Sequence, residues 1–321
     1  MKPHRVTQAG RLGRRSWSRL GLSVLSLILC PRLAHSSQGK NESQISTDAH
    51  ERRVSLYVSV LDQHGKLVSD LTEENFEVLE ESKPQKITSL QFEPETPVSL
   101  GVLIDISRSM GGERISLALS WLNILAGQLR SPDELFVNAF SNESQEVVDY
   151  VSPEDYLEEA VDHLGTGGQA SMGLAVDLAL IKLREARNQR RALLFFSAGR
   201  DIAGPATLDH ISRFGYPIYA IGIAGGDGLG GAVDKLKNLN VKGSALNVFA
   251  GHSGGEAIFV ESGSQAESAI QRLCLQMKNQ YRLEYISTSK RKPGKMSEVQ
   301  VKTKDPNLQV RHLKKYQITA K

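Results

Sequence analysis

The feature that most constrains the fold is an alternation of apolar and amphipathic segments across residues 99–280. SLGVLID, ALLFFS and IYAIGIA are apolar at nearly every position, which is typical of parallel strands buried on both faces of a sheet. Segments with helical spacing lie between them, such as RISLALSWLNILAGQL at 114–129. This alternation predicts an α/β domain with a doubly wound, mostly parallel sheet.

Further elements fill the interval between the first two buried strands. ELFVNAF and EVVDYV are predicted to form a pair of strands, with SNES as the turn between them. Two helices are predicted next, EDYLEEAVDHL at 154–164 and MGLAVDLALIKLREA at 172–186. An edge strand and several crossover helices are therefore expected in the α/β domain.

The segments on both sides of the α/β region have a different pattern. RVSLYVSVL at 53–61 alternates polar and apolar residues, which indicates a half-buried strand. The strand pattern returns in YRLEYIS and EVQVKT. We expect these flanks to pair into one small β-sheet or β-sandwich domain into which the α/β domain is inserted. The predicted boundaries are 53–95 for the N-terminal β part, 96–279 for the α/β domain and 280–318 for the C-terminal β part.

The N-terminal residues are predicted to lie outside the folded domains. Residues 1–36 contain basic residues, the short apolar run LGLSVLSLIL and small residues before Ser37, which together suit a secretory signal. The apolar run is too short for a transmembrane helix of the mature chain. Residues 37–52 are predicted to be a linker. We expect an exported protein that is periplasmic, extracellular or associated with the cell envelope.

Removal of the signal changes the charge of the chain. Residues 1–36 contain seven Lys/Arg and no Asp/Glu, so the formal net charge falls from +3 to −4. A mildly acidic mature chain gives no general reason to expect nucleic-acid binding. Cys274 is the cysteine that remains, so no internal disulfide is expected.

A polar motif follows the first buried strand of the α/β region. In IDISRSM, the oxygen-bearing side chains of Asp105, Ser107 and Ser109 lie at alternate positions. Ligands bind at the carboxyl ends of strands in a doubly wound sheet, and one carboxylate with two hydroxyls suits a hard cation such as Mg²⁺. This interpretation expects the Asp105 carboxylate to face outward at the rim of the sheet. The alternative is that the two serines cap the following helix near Arg114.

The motif IDISRSM resembles the DxSxS element of von Willebrand factor A domains, which opens their metal-ion-dependent adhesion site. The order of predicted elements is also similar to that family. Residues 54–92, 280–287 and 294–316 resemble the flanks of bacterial secreted proteins related to it. The resemblance implies a Mg²⁺ site, or one for Mn²⁺ or Ca²⁺. It also implies a protein ligand that offers an acidic side chain to the metal.

The other two loops of that family's site match this sequence incompletely. Where the family has a threonine, the second loop here has Ala170, with Ser171 as the nearest hydroxyl and Thr166 further upstream. Where the family has an aspartate after a buried strand, the third loop has Ala198, and the next carboxylate is Asp201. The resemblance therefore implies a degenerate site of Asp105, Ser107, Ser109 and Ser171, with Asp201 as a remote further ligand.

Signals for enzymatic or cofactor chemistry are weak. GDGLGG at 226–231 fits the glycine pattern of dinucleotide sites, but no acid follows at the expected strand end, so a loop is the better interpretation. No phosphate-binding loop, nucleophile motif or zinc-ligand spacing occurs. The sequence predicts a non-enzymatic protein-binding module, with a metal-independent scaffold of the cell envelope as the alternative.

The C-terminal β part is rich in basic residues, and two explanations stay open. The lysines could attract an acidic polymer of the envelope, or they could sit on strand edges and discourage sheet aggregation. The basic residues concerned are Lys290, Arg291, Lys292, Lys295, Lys302, Lys304, Arg311, Lys314 and Lys315.

Overall fold

The computed structural model describes residues 52–152, 163–199, 201, 204–223 and 244–319. The predicted export signal, the linker up to residue 51, most of the helix predicted at 154–164 and the GDGLGG segment lie outside these residues.

The described residues form strands and helices with the following bounds. The strands are β1 (Arg53–Leu61), β2 (Phe76–Glu80), β3 (Lys83–Gln85), β4 (Ile87–Glu93), β5 (Val98–Asp105), β6 (Glu134–Phe140), β7 (Ser144–Val151), β8 (Arg190–Ser197), β9 (Ile218–Ile223), β10 (Ala257–Val260), β11 (Gln280–Ile286), β12 (Met296–Thr303), β13 (Gln309–His312) and β14 (Lys315–Gln317). The helices are α1 (Glu113–Gln128), α2 (Met172–Lys182), α3 (Pro205–Phe214), α4 (Ala245–Ser253) and α5 (Gly263–Lys278). Within the part of the chain described, no helix is both long and apolar enough to cross a bilayer.

The central sheet contains six strands in the order β10-β9-β8-β5-β6-β7. All neighbouring strands are parallel except β6 and β7, which are antiparallel. Every residue of β5, β6 and β9 is buried, as their nearly continuous apolar sequences predict. Buried side chains of α1 and α5 form one core cluster, and those of α2, α3 and α4 belong to another. Helices therefore cover both faces, and the predicted doubly wound sheet is confirmed.

The flanking segments form two antiparallel four-stranded sheets, in the orders β13-β1-β11-β4 and β14-β12-β2-β3. Each sheet combines strands from before and after the α/β region. Gln280 of β11 pairs with Glu93 of β4, and the Thr96 N–H donates to the Lys278 carbonyl at 3.0 Å. The chain thus enters and leaves the α/β region at adjacent positions. The predicted insertion of an α/β domain into a small β domain is confirmed as the fold.

Three elements were not predicted from the sequence. Strands β3 and β14 have only three residues each, which is too short for an alternating pattern to appear. Helix α4 has the sequence ALNVFAGHS and ends at Gly254, which has a left-handed φ of 89°. Glycines near this segment are typical of a loop. The helix is stabilised instead by burial of Leu246 and Phe249 against the sheet.

A buried histidine lies where the β domain meets the α/β domain. His312 is 1% exposed, and its Nε2 accepts the Val301 N–H at 3.0 Å. An acceptor nitrogen requires the neutral ring. Burial, together with the nearby Lys314 ammonium, lowers the pKa of His312 to about 3.

His312 should make the protein less stable in mild acid. Because the folded pKa is below the unfolded value, its contribution is complete above about pH 6.5 and is lost as the pH falls towards about 3. We expect a loss of about 2 kcal/mol between pH 7 and pH 5 from this group. Urea unfolding at both pH values measures it. His312→Gln should be less stable at pH 7 but lose less between the two pH values; an equal loss in both proteins would contradict the assignment.

Candidate functional site

The candidate site lies at the carboxyl end of β5, between β8 and β6. From β5 the chain passes through α1 to β6 on one side, whereas β8 on the other side follows α2. Strand order therefore reverses beside β5, and such a switch point is where doubly wound sheets bind ligands. Asp105 is the last residue of β5, so the motif is at the predicted place.

The Asp105 carboxylate is held by two donors from the protein. Oδ1 accepts the Ser107 N–H at 2.8 Å, and Oδ2 accepts the Ser197 hydroxyl at 2.6 Å. The exposed fraction of Asp105 is 0%. The prediction that its carboxylate faces outward is therefore wrong. Its partners are neutral, and each oxygen retains a lone pair beyond these bonds.

The two serines of the motif contact each other. Their Oγ atoms are 2.9 Å apart, and Ser107 is buried while Ser109 is partly exposed. Neither hydroxyl caps a helix. Ser107 is the N-cap residue of a short 3-10 helix at Arg108–Met110 and Gly112 is that of α1, and neither makes a side-chain capping bond. Arg114 donates instead to the Ser109 carbonyl at 2.6 Å. The capping alternative is therefore wrong for these side chains.

The second loop is bound directly to the first. The Gly167 N–H donates to the Ile106 carbonyl at 2.8 Å, and the Arg108 N–H donates to the Gly168 carbonyl at 3.1 Å. Ser171 is the N-cap residue of α2, but its hydroxyl makes no capping hydrogen bond. Its N–H donates to the Ser141 carbonyl at 2.9 Å, which fixes it beside the end of β6.

The third loop brings Asp201 to the start of α2. Asp201 Oδ2 accepts the Met172 N–H at 2.7 Å, and the Asp201 carbonyl accepts the Ala245 N–H of α4 at 3.3 Å. A carboxylate at a helix N-terminus satisfies a free N–H and interacts favourably with the helix dipole. The structure therefore gives Asp201 a capping role. Ala198 is partly buried and carries no ligand atom.

The residues present fit a hydrated hard cation. Mg²⁺ holds its octahedral ligands at about 2.0–2.1 Å, so neighbouring ligand oxygens are separated by about 2.9 Å. The hydroxyls of Ser107 and Ser109 have this separation, which is also that of the hydrogen bond between them, and the Asp105 carboxylate accepts the Ser107 N–H and adds one negative charge. Within the described residues, no group of three or more His, Cys, Asp or Glu side chains could hold a metal. If a cation binds here, this donor set would leave most ligand positions to water.

Ser197 contacts the candidate site and was not among the residues predicted from the sequence. It ends β8, the strand beside β5, and its hydroxyl bonds both Asp105 and the Gly199 N–H, the latter at 3.0 Å. Its position could have identified it, because Ser197 ends a strand next to β5 and the carboxyl ends of adjacent parallel strands meet at one edge of a sheet.

The chain is similar to solved structures of other proteins. The chain is similar to BatB from Bacteroides thetaiotaomicron, with 16% identity, a TM-score of 0.45 and coverage of 56% of this chain and 98% of that chain. A von Willebrand factor type A protein from Catenulispora acidiphila has 12% identity and a TM-score of 0.44, with 85% of this chain and 75% of that chain covered. No curated protein sequence matches the chain significantly.

Both structural similarities have TM-scores below 0.5, and the family of the chain is shown by its sequence instead. The model for the von Willebrand factor type A domain matches residues 100–272, which is more than half of the chain. The matched region extends from β5 into α5 and includes all three loops of the candidate site. The chain therefore belongs to the von Willebrand factor type A domain family.

Proposed function

We propose that this protein is an exported, non-enzymatic module that binds another protein through the three loops at the carboxyl end of the central sheet. In this proposal, Asp105, Ser107, Ser109 and Ser171 hold a weakly bound Mg²⁺, with Mn²⁺ or Ca²⁺ as substitutes. A ligand carboxylate completes the coordination shell. Asp201 is the remote candidate ligand. Because its carboxylate caps α2, it would contribute to metal binding indirectly, by holding the second loop in place.

The observation that carries the proposal is the arrangement of three oxygen donors at the switch point. The serine hydroxyls are separated by the length of one octahedral edge, and the Asp105 carboxylate is anchored next to them by the Ser107 N–H. A single carboxylate leaves most of the charge of a divalent cation uncompensated. An acidic side chain of a partner would therefore bind with a strong preference over neutral ones.

The bond between Ser197 and Asp105 favours a second candidate function. Because this hydroxyl satisfies Oδ2 without a cation, the loops can keep their conformation when no metal is bound. The protein would then act as a metal-independent scaffold of the cell envelope. Binding of a partner would be insensitive to chelators in that case.

Titration of the protein with Mn²⁺, followed by electron paramagnetic resonance, tests the metal-dependent proposal. We expect saturable binding in the intact protein and a loss of at least tenfold in affinity for Asp105→Asn, which removes the negative charge of the site, and for Ser109→Ala, which removes a ligand oxygen. Asp209→Asn, an exposed carboxylate on α3, is the matched control and should bind as the intact protein does. Equal affinity in all four proteins would remove the metal from the proposal.

A further inference from the structure

The loop that joins β11 to β12 is strongly basic and exposed. Residues 290–295 have the sequence KRKPGK, and all six are exposed. They follow the end of β11 that is opposite to α5, and none of them belongs to a strand. Protection of strand edges therefore does not explain these basic residues, although it suits Lys315 on β14.

The lysines of this loop lack the ion pairs that other cations of the β domain make. Arg53 pairs with Glu284, Arg282 with Glu93, Arg311 with Glu256 and Lys315 with Glu298. Within the loop, Arg291 pairs with Glu81 of the turn between β2 and β3. In the part of the chain that the structure describes, Lys290, Lys292 and Lys295 have no acidic partner.

Lys83 is a fourth lysine near the loop that makes no ion pair among the residues described. The Thr288 N–H donates to Gln85 Oε1 at 3.0 Å, and Gln85 Nε2 donates to the Thr288 hydroxyl at 3.0 Å. These bonds place β3 against the start of the loop, and the exposed Lys83 opens β3. We call Lys83, Lys290, Lys292 and Lys295 the cationic loop surface.

We propose that the cationic loop surface binds the anionic headgroups of a lipid bilayer. Six consecutive exposed residues turn at Pro293 and Gly294, so a flat anionic surface can contact several of their charges at once. Each basic residue near an anionic membrane contributes about fivefold to binding, so four free lysines give useful attraction without an apolar anchor. The attraction weakens as salt screens the charges.

The N-terminal segment joins the domain beside this surface. The Ser287 N–H donates to the Arg52 carbonyl at 3.0 Å, and the Arg52 guanidinium donates to the Ser289 carbonyl. Residues before Arg52 therefore connect to the domain next to the loop. A protein that contacts a bilayer through the loop keeps this connection close to the bilayer.

Sedimentation with lipid vesicles tests this inference on the full chain. Vesicles of phosphatidylcholine are compared with vesicles that also contain about 30% phosphatidylglycerol, at about 50 mM and about 500 mM NaCl. The variant is Lys290→Gln/Lys292→Gln/Lys295→Gln. The control, Lys66→Gln/Lys302→Gln/Lys304→Gln, removes the same charge from exposed lysines outside the loop. All three proteins have the same N-terminal segment, so its contribution cancels.

We expect the intact protein and the control to bind the anionic vesicles at low salt, and the loop variant to bind about a hundredfold more weakly. High salt should reduce binding of the intact protein to the level of the phosphatidylcholine vesicles. Equal binding by both triple variants, or no preference for anionic vesicles, would overturn the proposal. Binding to a soluble polyanion of the same charge density that exceeds vesicle binding would also overturn it, in favour of an acidic polymer.

Discussion

Replacing Gly254 with alanine is expected to destabilise the protein by about 3 kcal/mol or more. Gly254 has a left-handed φ of 89°, and a Cβ there would lie 2.5 Å from the carbonyl carbon of His312 and 2.7 Å from its Cα. The left-handed conformation costs an L-residue about 1–2 kcal/mol, and forced overlap adds about 1–3 kcal/mol. Denaturant unfolding of the variant measures the sum.

Gly294→Ala is the matched control for the conformational part of this effect. Gly294 has a similar φ of 81°, but a Cβ there would meet no atom within 4 Å. Its replacement should therefore cost only about 1–2 kcal/mol. The excess at Gly254 measures how closely β13 packs against the end of α4. Equal costs at both positions would mean that the β domain does not dock on the α/β domain in this way.

Glu93→Gln should cost about 3 kcal/mol, because it leaves a buried cation without its counter-charge. Arg190 of β8 is 1% exposed, and its Nη2 lies 2.8 Å from Glu93 Oε2 of β4. The guanidinium also lies over the Tyr57 ring, 4.6 Å from its centroid. These contacts connect the central sheet to the β domain. Burial lowers the pKa of Arg190, yet the group stays protonated at neutral pH.

Glu284→Gln provides the comparison for this prediction. Glu284 pairs with Arg53 and Arg282, whose side chains are 43% and 39% exposed. Water can solvate both cations after the change, so a loss below about 1 kcal/mol is expected. Thermal unfolding of the two variants should therefore rank Glu93→Gln as clearly the less stable. The same loss in both would show that Arg190 is effectively solvated or paired elsewhere.

The fold could be predicted from the sequence because burial on both faces leaves a strong local signal. Each residue of β5 is buried, and the segment SLGVLID is accordingly apolar until Asp105. The paired flanks could also be anticipated, since the strand pattern changes on both sides of the α/β region. Helix α4 could not, because its stability comes from contacts of Leu246 and Phe249 with the sheet.

The site was predictable in position but not in detail. Alternate spacing predicted that the hydroxyls of Ser107 and Ser109 lie close together, and they are 2.9 Å apart. The direction of Asp201 could not be inferred, because it depends on how the third loop meets the start of α2. The bond from Ser197 to Asp105 joins residues that are 92 positions apart in the chain. Such contacts are set by tertiary packing, which local patterns do not encode.

A crystal structure of the protein soaked with Mn²⁺, with an anomalous difference map, tests the central claim most directly. The account predicts a Mn²⁺ peak about 2–2.5 Å from the hydroxyl oxygens of Ser107 and Ser109, beside Asp105, with water ligands completing the shell. A map without a peak at this position, in which the serine pair and the bond from Ser197 to Asp105 are unchanged, would contradict it.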